Sequence, residues 1–542
     1  MGTGAKIIAG RRVRWDSARA DQAYSQGWWI RGTLADALHR ATLESPGRTV
    51  IVDGDTRLTL SALRSQAMML AQAMLDRLKP SSVVSFMLPN WHEAAVIYHA
   101  ATIAGMVVHP LLPSLRHHEL RFMLEDVDSR MIFIPSALRN HDYREMMARV
   151  TAELSRPPLV VVVRGEPGSF IPYPSLFDDV RASPLPSLES DAVHLVLYTS
   201  GTTGTPKGVL HSHNSIHALI RQIGQHWLVS PADTFLVASP VSHIGGSIYA
   251  FECPLLLGTR AVLMERWDPD AAVGLALSEH CTHIAGATPF LEQLLAATRR
   301  AGTRLPDLKL FICGGAAVPP SLIREAAEYF AGAAVTRVYG STEVPVTTLG
   351  TLDRADRVHA AETDGRVGIA EVRLTDPMGN LNNEGEIRVR GPQMLVGYLH
   401  AEDEDGAFDA EGFYRTGDLG RWVDGEHLLI SGRLKDIIIR NGENISPKEI
   451  EDLLVEHPGI AEVTVVGVPD RRTGERACAV IIPRKRPAPD LESLQAFLLG
   501  RGVAVFKFPE EVFVWEALPK NDAGKVLKYE IRAQLMRQVK GG

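Results

Sequence analysis

The sequence predicts an α/β protein. A large N-terminal α/β region is followed by short strands and hairpins and then by a small αβ unit. Three observations carry this expectation. The chain has 542 residues, too many for one ordinary hydrophobic core. From residue 33 to about 165, helical-period segments such as LSALRSQAMMLAQAML alternate with short apolar runs such as SSVVSFML and RMIFIP, the alternation that layers helices on parallel strands. After about residue 365 the pattern turns to period two in VRLTDPMGN, GEIRVRGP and HLLISGR, with Gly, Pro and Asn between the runs, which reads as short strands and hairpins.

Taken in order, AAVIYHAATIAGMVVHPLL (94 to 112) approaches membrane-span length but contains His99, Gly105, His109 and Pro110, so it is expected to be a buried helix running into a buried strand. The α/β alternation resumes with AVHLVLYT, a helix beginning near His213, LKLFICGG, a helix from Ser321, and AAVTRVYG. Each glycine-rich turn here follows a strand, the place where open α/β sheets bind ligands. From Leu434 the segments DIIIR, PKEIEDLLVEHP, VTVVGV, CAVIIP, a helix near 490 to 500, EVFVW and a last helix after Gly524 form a unit of their own. The expected domains are therefore 1–432 and 433–542, with Gly432 to Lys435 as the hinge. RNGENIS (440 to 446) reads as a turn leading into a helix capped by Ser446, with Pro447 at its first position.

Hydrophobic residues make 45% of the chain and charged residues 22%, a globular composition. A net charge of −7 gives no general footprint for nucleic acid or anionic lipid. Cys253, Cys281, Cys313 and Cys478 lie far apart without a CxxC pair, against a zinc site or disulfide framework and in favour of a reducing compartment. The start, MGTGAKIIAGRRVRW, has no long apolar core, and Lys6 stands where a myristoylation motif has Ser or Thr. No integral membrane segment and a cytoplasmic location are expected.

The segment YTSGTTGTPKGVLHSH (198 to 213) resembles a phosphate loop. Gly201, Gly204 and Gly208 let backbone amides approach a ligand, Thr199, Ser200, Thr202, Thr203 and Thr205 bring hydroxyls, and Lys207 adds a mobile positive charge. A polyphosphate is the natural occupant. It is not the loop of a P-loop NTPase, because Pro206 precedes Lys207 and Gly208 follows it.

Further motifs follow in order: GGA (314 to 316), YGSTE (339 to 343), GEIRVRG (385 to 391), YRTGD (414 to 418), GRLKD (432 to 436) and PKNDAGK (519 to 525). Together with the loop they resemble the adenylate-forming superfamily of acyl-CoA synthetases, luciferases and peptide-synthetase adenylation domains, over nearly the whole chain. The resemblance implies an α/β fold with a large multi-layer N-terminal domain, made of two α/β subdomains and a small β-barrel-like subdomain, and a small mobile α+β C-terminal domain. The resemblance implies that ATP and a carboxylic acid form an acyl-adenylate, after which the acyl group passes to coenzyme A. Attack at the α-phosphorus brings two anions together, so lysines, hydroxyls, amides and Mg²⁺ are needed to neutralise charge. The resemblance assigns Glu343 to Mg²⁺ and Thr342 to the α-phosphate. Tyr339 would stack on adenine within Tyr339, Gly340, Ser341 and Thr342, with Gly314, Gly315 and Ala316 against the other side. Asp418 has the acceptor chemistry for the ribose hydroxyls, and Arg433 can bind the ribose or phosphate region. Lys525 is the expected catalytic lysine, bridging carboxylate and α-phosphate. Asn521 and Asp522 replace the Thr or small residues usual before the Gly-Lys pair, and Lys528 stands where arginine is common.

For the second step the resemblance implies rotation of the small domain about a hinge that matches Lys435, with Gly442, Glu443 and Asn444 lining the pantetheine path. The acyl pocket is expected from PVSHIGGSIYAFECPLLL (240 to 257) and AGATPFLEQLL (285 to 295). Ser242 to Ser247 contains no acid, so an ammonium there would lack a partner and an apolar acid is favoured. These segments are similar to short-to-medium-chain and alicyclic-carboxylate CoA ligases. His243 is placed at the mouth between acyl group and thiol tunnel; Gly245, Gly246 and Ser247 could admit a ring or chain, and Tyr249, Phe251 and Phe290 could shorten the pocket. The alternative reading is an acyl-AMP ligase that loads a carrier protein. The expected partners are thus the acid, ATP and CoA, with a homodimer allowed.

Overall fold

The computed structural model describes residues 4–178, 180–199, 206–315, 318–440, 443–470, 472–521 and 524–540. Two large sheets face each other across a layer of helices. The first has eight strands, in the order Ile171–Pro172, Leu159–Val162, Ser129–Ile134, Val83–Phe86, Val107–Pro110, Val193–Thr199, Lys207–Ser212 and Gly397–Tyr398. The second has seven: Ala334–Val338, Leu310–Gly314, His283–Gly286, Thr234–Val237, Arg260–Leu263, Thr49–Asp53 and Thr56–Thr59. Most neighbours are parallel, as the α/β alternation predicts.

The local pattern does not reveal which sheet a strand joins. Thr49–Asp53 lies inside the first run of alternation yet pairs with Arg260–Leu263, Ile51 opposite Ala261, so the second sheet is begun by the N-terminal part of the chain. Between the sheets, helices Leu60–Leu75, His92–Ile103 and His213–His226 share one core with residues of both, among them Phe86, Leu195, Phe235 and Leu310. Thr59 and Ser212 start two of these helices by accepting hydrogen bonds from Ala62 N and Ser215 N. The stretch 94 to 112 is the expected buried helix and buried strand, joined at Gly105 with φ +65°. No helix among the described residues is long and apolar enough to cross a membrane. The four cysteines are free and buried.

The period-two segments form a four-stranded antiparallel sheet, Glu371–Thr375, Glu384–Arg390, Tyr414–Val423 and His427–Arg433. Beyond it, Ile438–Arg440, Glu443–Ile445, Ile460–Asp470, Gly474–Pro483 and Glu511–Val514 make a five-stranded sheet. One of its apolar clusters, from Ile438 to Phe508, includes Ile450 and Leu454 of helix Pro447–Leu454 and Leu494 and Leu498 of helix Leu491–Gly500. The other includes Ile531 and Leu535 of helix Lys528–Lys540. Pro447 opens its helix as expected, but the Ser446 hydroxyl does not cap it: it donates to Ser431 O at 2.6 Å, tying the small domain's first helix to the strand before the hinge.

Gly365 joins the large domain to the antiparallel sheet at φ +94°, and a Cβ there would stand 2.3 Å from Gly350 Cα. Backbone cannot yield as a side chain can. Gly365→Ala is expected to cost ~3 kcal/mol or more and to lower the thermal unfolding midpoint; an unchanged midpoint would show that this crossing relaxes freely.

Candidate functional site

The site lies where four neighbouring parallel strands end. Ala334–Val338, Leu310–Gly314, His283–Gly286 and Thr234–Val237 lie side by side in that order, and their C-terminal ends lead to Tyr339, Gly315, Ala287–Pro289 and Ser239–His243. The order of strands thus sets the order of function, with the expected adenine slot at one end and the expected acyl pocket at the other. Gly314 and Val338 are directly paired, and a Cβ on Gly314 would meet Val338 O at 2.8 Å, so this close approach requires glycine. Gly315 follows at φ +81°. Gly340 is equally constrained, its Cβ position lying 2.6 Å from Val346 N.

Asp418 collects the other groups. Its carboxylate accepts from Tyr339 OH at 2.7 Å and pairs with Arg433 Nε at 2.6 Å, while its own N–H donates to Thr416 Oγ1 at 3.0 Å. Asp418 is only 4% exposed, so an unpaired charge there would be costly and the two partners are required. Asp418 and Arg433 also face each other across the antiparallel sheet, which fixes their register.

Lys525 reaches this group from the far end of the chain. Its loop is a tight hairpin: Lys525 N donates to Asn521 Oδ1 at 2.9 Å, and Gly524 N donates to Asn521 O at 2.8 Å. Asn521, a departure from the usual pattern in sequence, therefore shapes the turn. Gly524, at φ +79°, faces Pro289 and Ala287, its Cβ position 3.6 Å from Pro289 Cγ. The Lys525 side chain keeps solvent access, yet partial removal from bulk water, then Arg433 and Lys435, lower its pKa to about 8 against the pull of Asp418 and Asp436.

Glu343 is buried, accepts from Tyr398 OH at 3.2 Å, and its main-chain carbonyl accepts from Leu395 N at 2.7 Å. Thr342 O is held by His211 Nε2 at 2.7 Å; burial lowers the His211 pKa to about 4, so a neutral imidazole donates there. Lys207 lies 3.2 Å from Asp403 Oδ1 and over the Tyr398 ring. Thr199 pairs directly with Lys207 at the end of two antiparallel strands that flanks residues 200–206. Ser200, Gly201, Thr202, Thr203 and Gly204, with Ala316 and Gly442, lie outside the described residues. Gly208 belongs to the strand rather than to a ligand cradle: its Cβ position is 3.0 Å from Leu399 Cβ. Lys435 sits in the short turn Leu434–Asp436, and Glu443 and Asn444 stand exposed on an edge strand of the small domain.

The loop before His243 is held by Asn90, whose side-chain amide donates to Val237 O at 3.2 Å and Ser239 O at 3.0 Å and whose Oδ1 accepts from Val241 N at 2.9 Å. Ser242 Oγ and His243 Nε2 are buried without a hydrogen-bond partner among the described residues, and burial keeps His243 neutral by lowering its pKa. Gly245 opens on free space, but Gly246 does not: its Cβ position is 2.1 Å from Pro240 O, so its small size serves the backbone rather than an acyl chain. Tyr249 stacks on Phe235 at 5.0 Å, and Phe251 packs against Tyr98 with ring centroids 4.6 Å apart and planes tilted by 30°. Phe290 packs against Gly286 and Trp267.

Sequence reasoning missed Glu252, at the end of the π-helical turn Ile248–Glu252. It is fully buried, accepts from Tyr98 OH, and burial lifts its pKa to about 7. The signal was one acid in an otherwise apolar run.

Residues 38–399 match the AMP-binding enzyme family and residues 449–525 the AMP-binding enzyme C-terminal domain. The chain belongs to the AMP-binding enzyme family. It is an ATP-dependent ligase of the adenylate-forming superfamily, as the motifs imply. Among its relatives, a medium-chain fatty-acid–CoA ligase of Escherichia coli (strain K12) is 34% identical over 95% of this chain and 92% of its own. A 2,3-dihydroxybenzoate-AMP ligase of Bacillus subtilis (strain 168) is 29% identical over 97% and 98%. The crystal structure of ATP-bound MatB from Rhodopseudomonas palustris superimposes with a TM-score of 0.83 at 26% identity, covering 94% of this chain and 99% of that one. The apo form of MatB gives 0.73, so the arrangement of this chain is nearer to the ATP-bound one.

Lys525 can neutralise charge only while protonated. In the free enzyme, pyrophosphate release under kcat/KM conditions is therefore expected to hold below, and fall as pH rises through, about 8. Bound anions raise the pKa, so the inflection in kcat lies higher. A kcat/KM level up to about pH 10, the range of an ordinary lysine, would contradict this.

Proposed function

We propose that this enzyme is an acyl-CoA synthetase that activates a short-to-medium-chain fatty or alicyclic acid. The observation that carries the reading is the docking of the Lys525 hairpin against Ala287 and Pro289, which brings a lysine of the 433–542 domain beside Asp418 of the 1–432 domain. In this arrangement a carboxylate oxygen attacks the α-phosphorus of ATP, the new O–P bond forms, and the bond to pyrophosphate breaks. Lys525 neutralises the meeting charges, Lys207 and the loop from Thr199 to Gly204 hold the β and γ phosphates, and Asp418 with Arg433 holds the ribose. Thr342 contacts the α-phosphate, and adenine lies between Tyr339 and the Gly314–Ala316 segment.

Glu343 fits Mg²⁺: a single buried carboxylate beside hydroxyl groups is the donor set of a hard cation that takes its remaining oxygens from phosphate and water. When bound, Mg²⁺ would offset phosphate charge.

The small domain then turns about Lys435, withdrawing Lys525, and Gly442, Glu443 and Asn444 line the thiol path, with His243 at its mouth. The CoA sulfur attacks the acyl carbon and AMP leaves. The exposed turn Leu434–Asp436 supports such a hinge. The absence of an acid from Ser242 to Ser247, and the pairing of the buried Glu252 with Tyr98, support an uncharged acyl tail. The likeness to the Escherichia coli medium-chain ligase supports the same class of acid. The 2,3-dihydroxybenzoate-AMP ligase supports a second reading, in which the acyl group goes to a carrier protein.

The test is incubation with ATP, Mg²⁺ and linear, alicyclic and aromatic acids, with and without CoA, reading pyrophosphate, acyl-AMP and acyl-CoA by mass spectrometry. Acyl-CoA from a linear or alicyclic acid is expected. Acyl-AMP that accumulates despite CoA would overturn the acceptor, and selective turnover of aromatic acids would overturn the substrate class.

A further inference from the structure

Away from the nucleotide site, two histidines and two aspartates meet where helix Arg357–Glu362 packs against the start of strand His427–Arg433. Asp356 caps the helix, accepting from His359 N at 3.2 Å, and its carboxylate lies 2.8 Å from His359 Nδ1. The other ring nitrogen, Nε2, is 2.9 Å from Asp424 Oδ2. The His427 ring lies parallel to His359, 4.0 Å away, and is 2% exposed; neither of its nitrogens has a hydrogen-bond partner among the described residues. Donor atoms of Asp356, His359 and His427 fall within 4.8 Å of one another. A buried imidazole with two unmet nitrogens is an anomaly that calls for a ligand, and burial together with the neighbouring His359 lowers its pKa, leaving a lone pair free.

We propose that Asp356, His359 and His427, with Asp424 at the rim, bind a late first-row divalent cation of the Zn²⁺ type. Two imidazoles with one or two carboxylates suit such an ion, whereas Mg²⁺ and Ca²⁺ take oxygen sets. The contrast with a second cluster is instructive. Asp53, His92 and Glu93 also converge, but the Arg164 guanidinium stands 2.8 Å from Asp53 and 2.6 Å from Glu93 and already fills the place of a cation. At His427 the nearest such group, Arg366, is paired with Glu426 at 2.9 Å.

The surrounding backbone is well fixed. Asp364 N donates to Leu428 O at 2.8 Å and Leu428 N to Gly365 O at 2.9 Å, so His427 cannot drift. Binding turns the two rings from parallel stacking toward a common ion. The ion replaces the proton that His359 shares with its carboxylates, and that proton passes to solvent. The ion then clamps the helix to the strand whose other end carries Arg433.

The test is titration of the chelator-treated full chain with Zn²⁺ by calorimetry, with Co²⁺ absorption as a second probe. One equivalent bound at this site, proton release and a raised unfolding midpoint are expected. His359→Asn and Asp356→Asn each are expected to weaken Zn²⁺ at least tenfold while leaving adenylation and the circular dichroism spectrum unchanged; Asn retains the helix cap. His92→Asn is expected to leave Zn²⁺ affinity unchanged. No binding, or equal affinity in wild type and both cluster variants, would overturn the proposal.

Discussion

The buried carboxylate of Asp418 is the constraint around which the site is organised. A charge so enclosed must be paired, and its partners come from three parts of the chain: Tyr339 from just past a strand of the second large sheet, Arg433 from the last residue of the antiparallel-sheet strand that runs into the hinge, and Lys525, electrostatically, from the small domain. Tyr339 and the antiparallel sheet also share an apolar core that includes Tyr414 and Leu428, and the carboxylate adds a polar link from that core toward the small domain. Removal from bulk water is the first cause of the depressed lysine pKa, and repulsion by the two cations Arg433 and Lys435 adds to it against the pull of Asp418. In the proposed reading a nucleotide bound at this place would offset that repulsion and favour the docked lysine.

The parallel sheet supplies the second constraint. Four adjacent strands end on one edge, and each is followed by a backbone segment whose conformation is enforced locally. Gly314 is pressed against Val338, Gly246 against Pro240, and the 237–241 loop is held by three hydrogen bonds with Asn90, two donated by its amide and one accepted by its Oδ1. The nucleotide and acyl regions are consequently fixed by the large domain alone. In the proposed reading the lysine alone is carried by the small domain, which is what a two-step reaction needs if one face must leave before another can act.

Much of this was legible in sequence because chemistry at strand ends leaves marked residues. Glycines in GGA and YGSTE, the acid of YRTGD, the arginine of GRLKD and the lysine of PKNDAGK are each a type the position demands, and their order places them. What escaped was decided by contacts distant in the chain. Thr49–Asp53 looks like any other apolar strand, and only its partner Arg260–Leu263 assigns it to the second sheet. Gly208 and Gly246 looked like room for a ligand, but their neighbours Leu399 and Pro240 explain them. Glu252, one acid in an apolar run, escaped because its partner, Tyr98, lies on another helix. Ser446 has the residue type of a cap and instead holds Ser431 across the hinge. The His359–His427 pair carries no motif at all, since a turn and a strand bring it together.

The central claim, that a lysine on the mobile domain serves the first half-reaction alone, is tested most directly by separating the two steps in Lys525→Ala. The account predicts that acid-dependent pyrophosphate–ATP exchange falls by at least a hundredfold, in line with loss of a preorganised charge at the reacting phosphate, while thioester formation from supplied acyl-AMP and CoA stays within a few-fold of wild type. Equal loss in both half-reactions would contradict it.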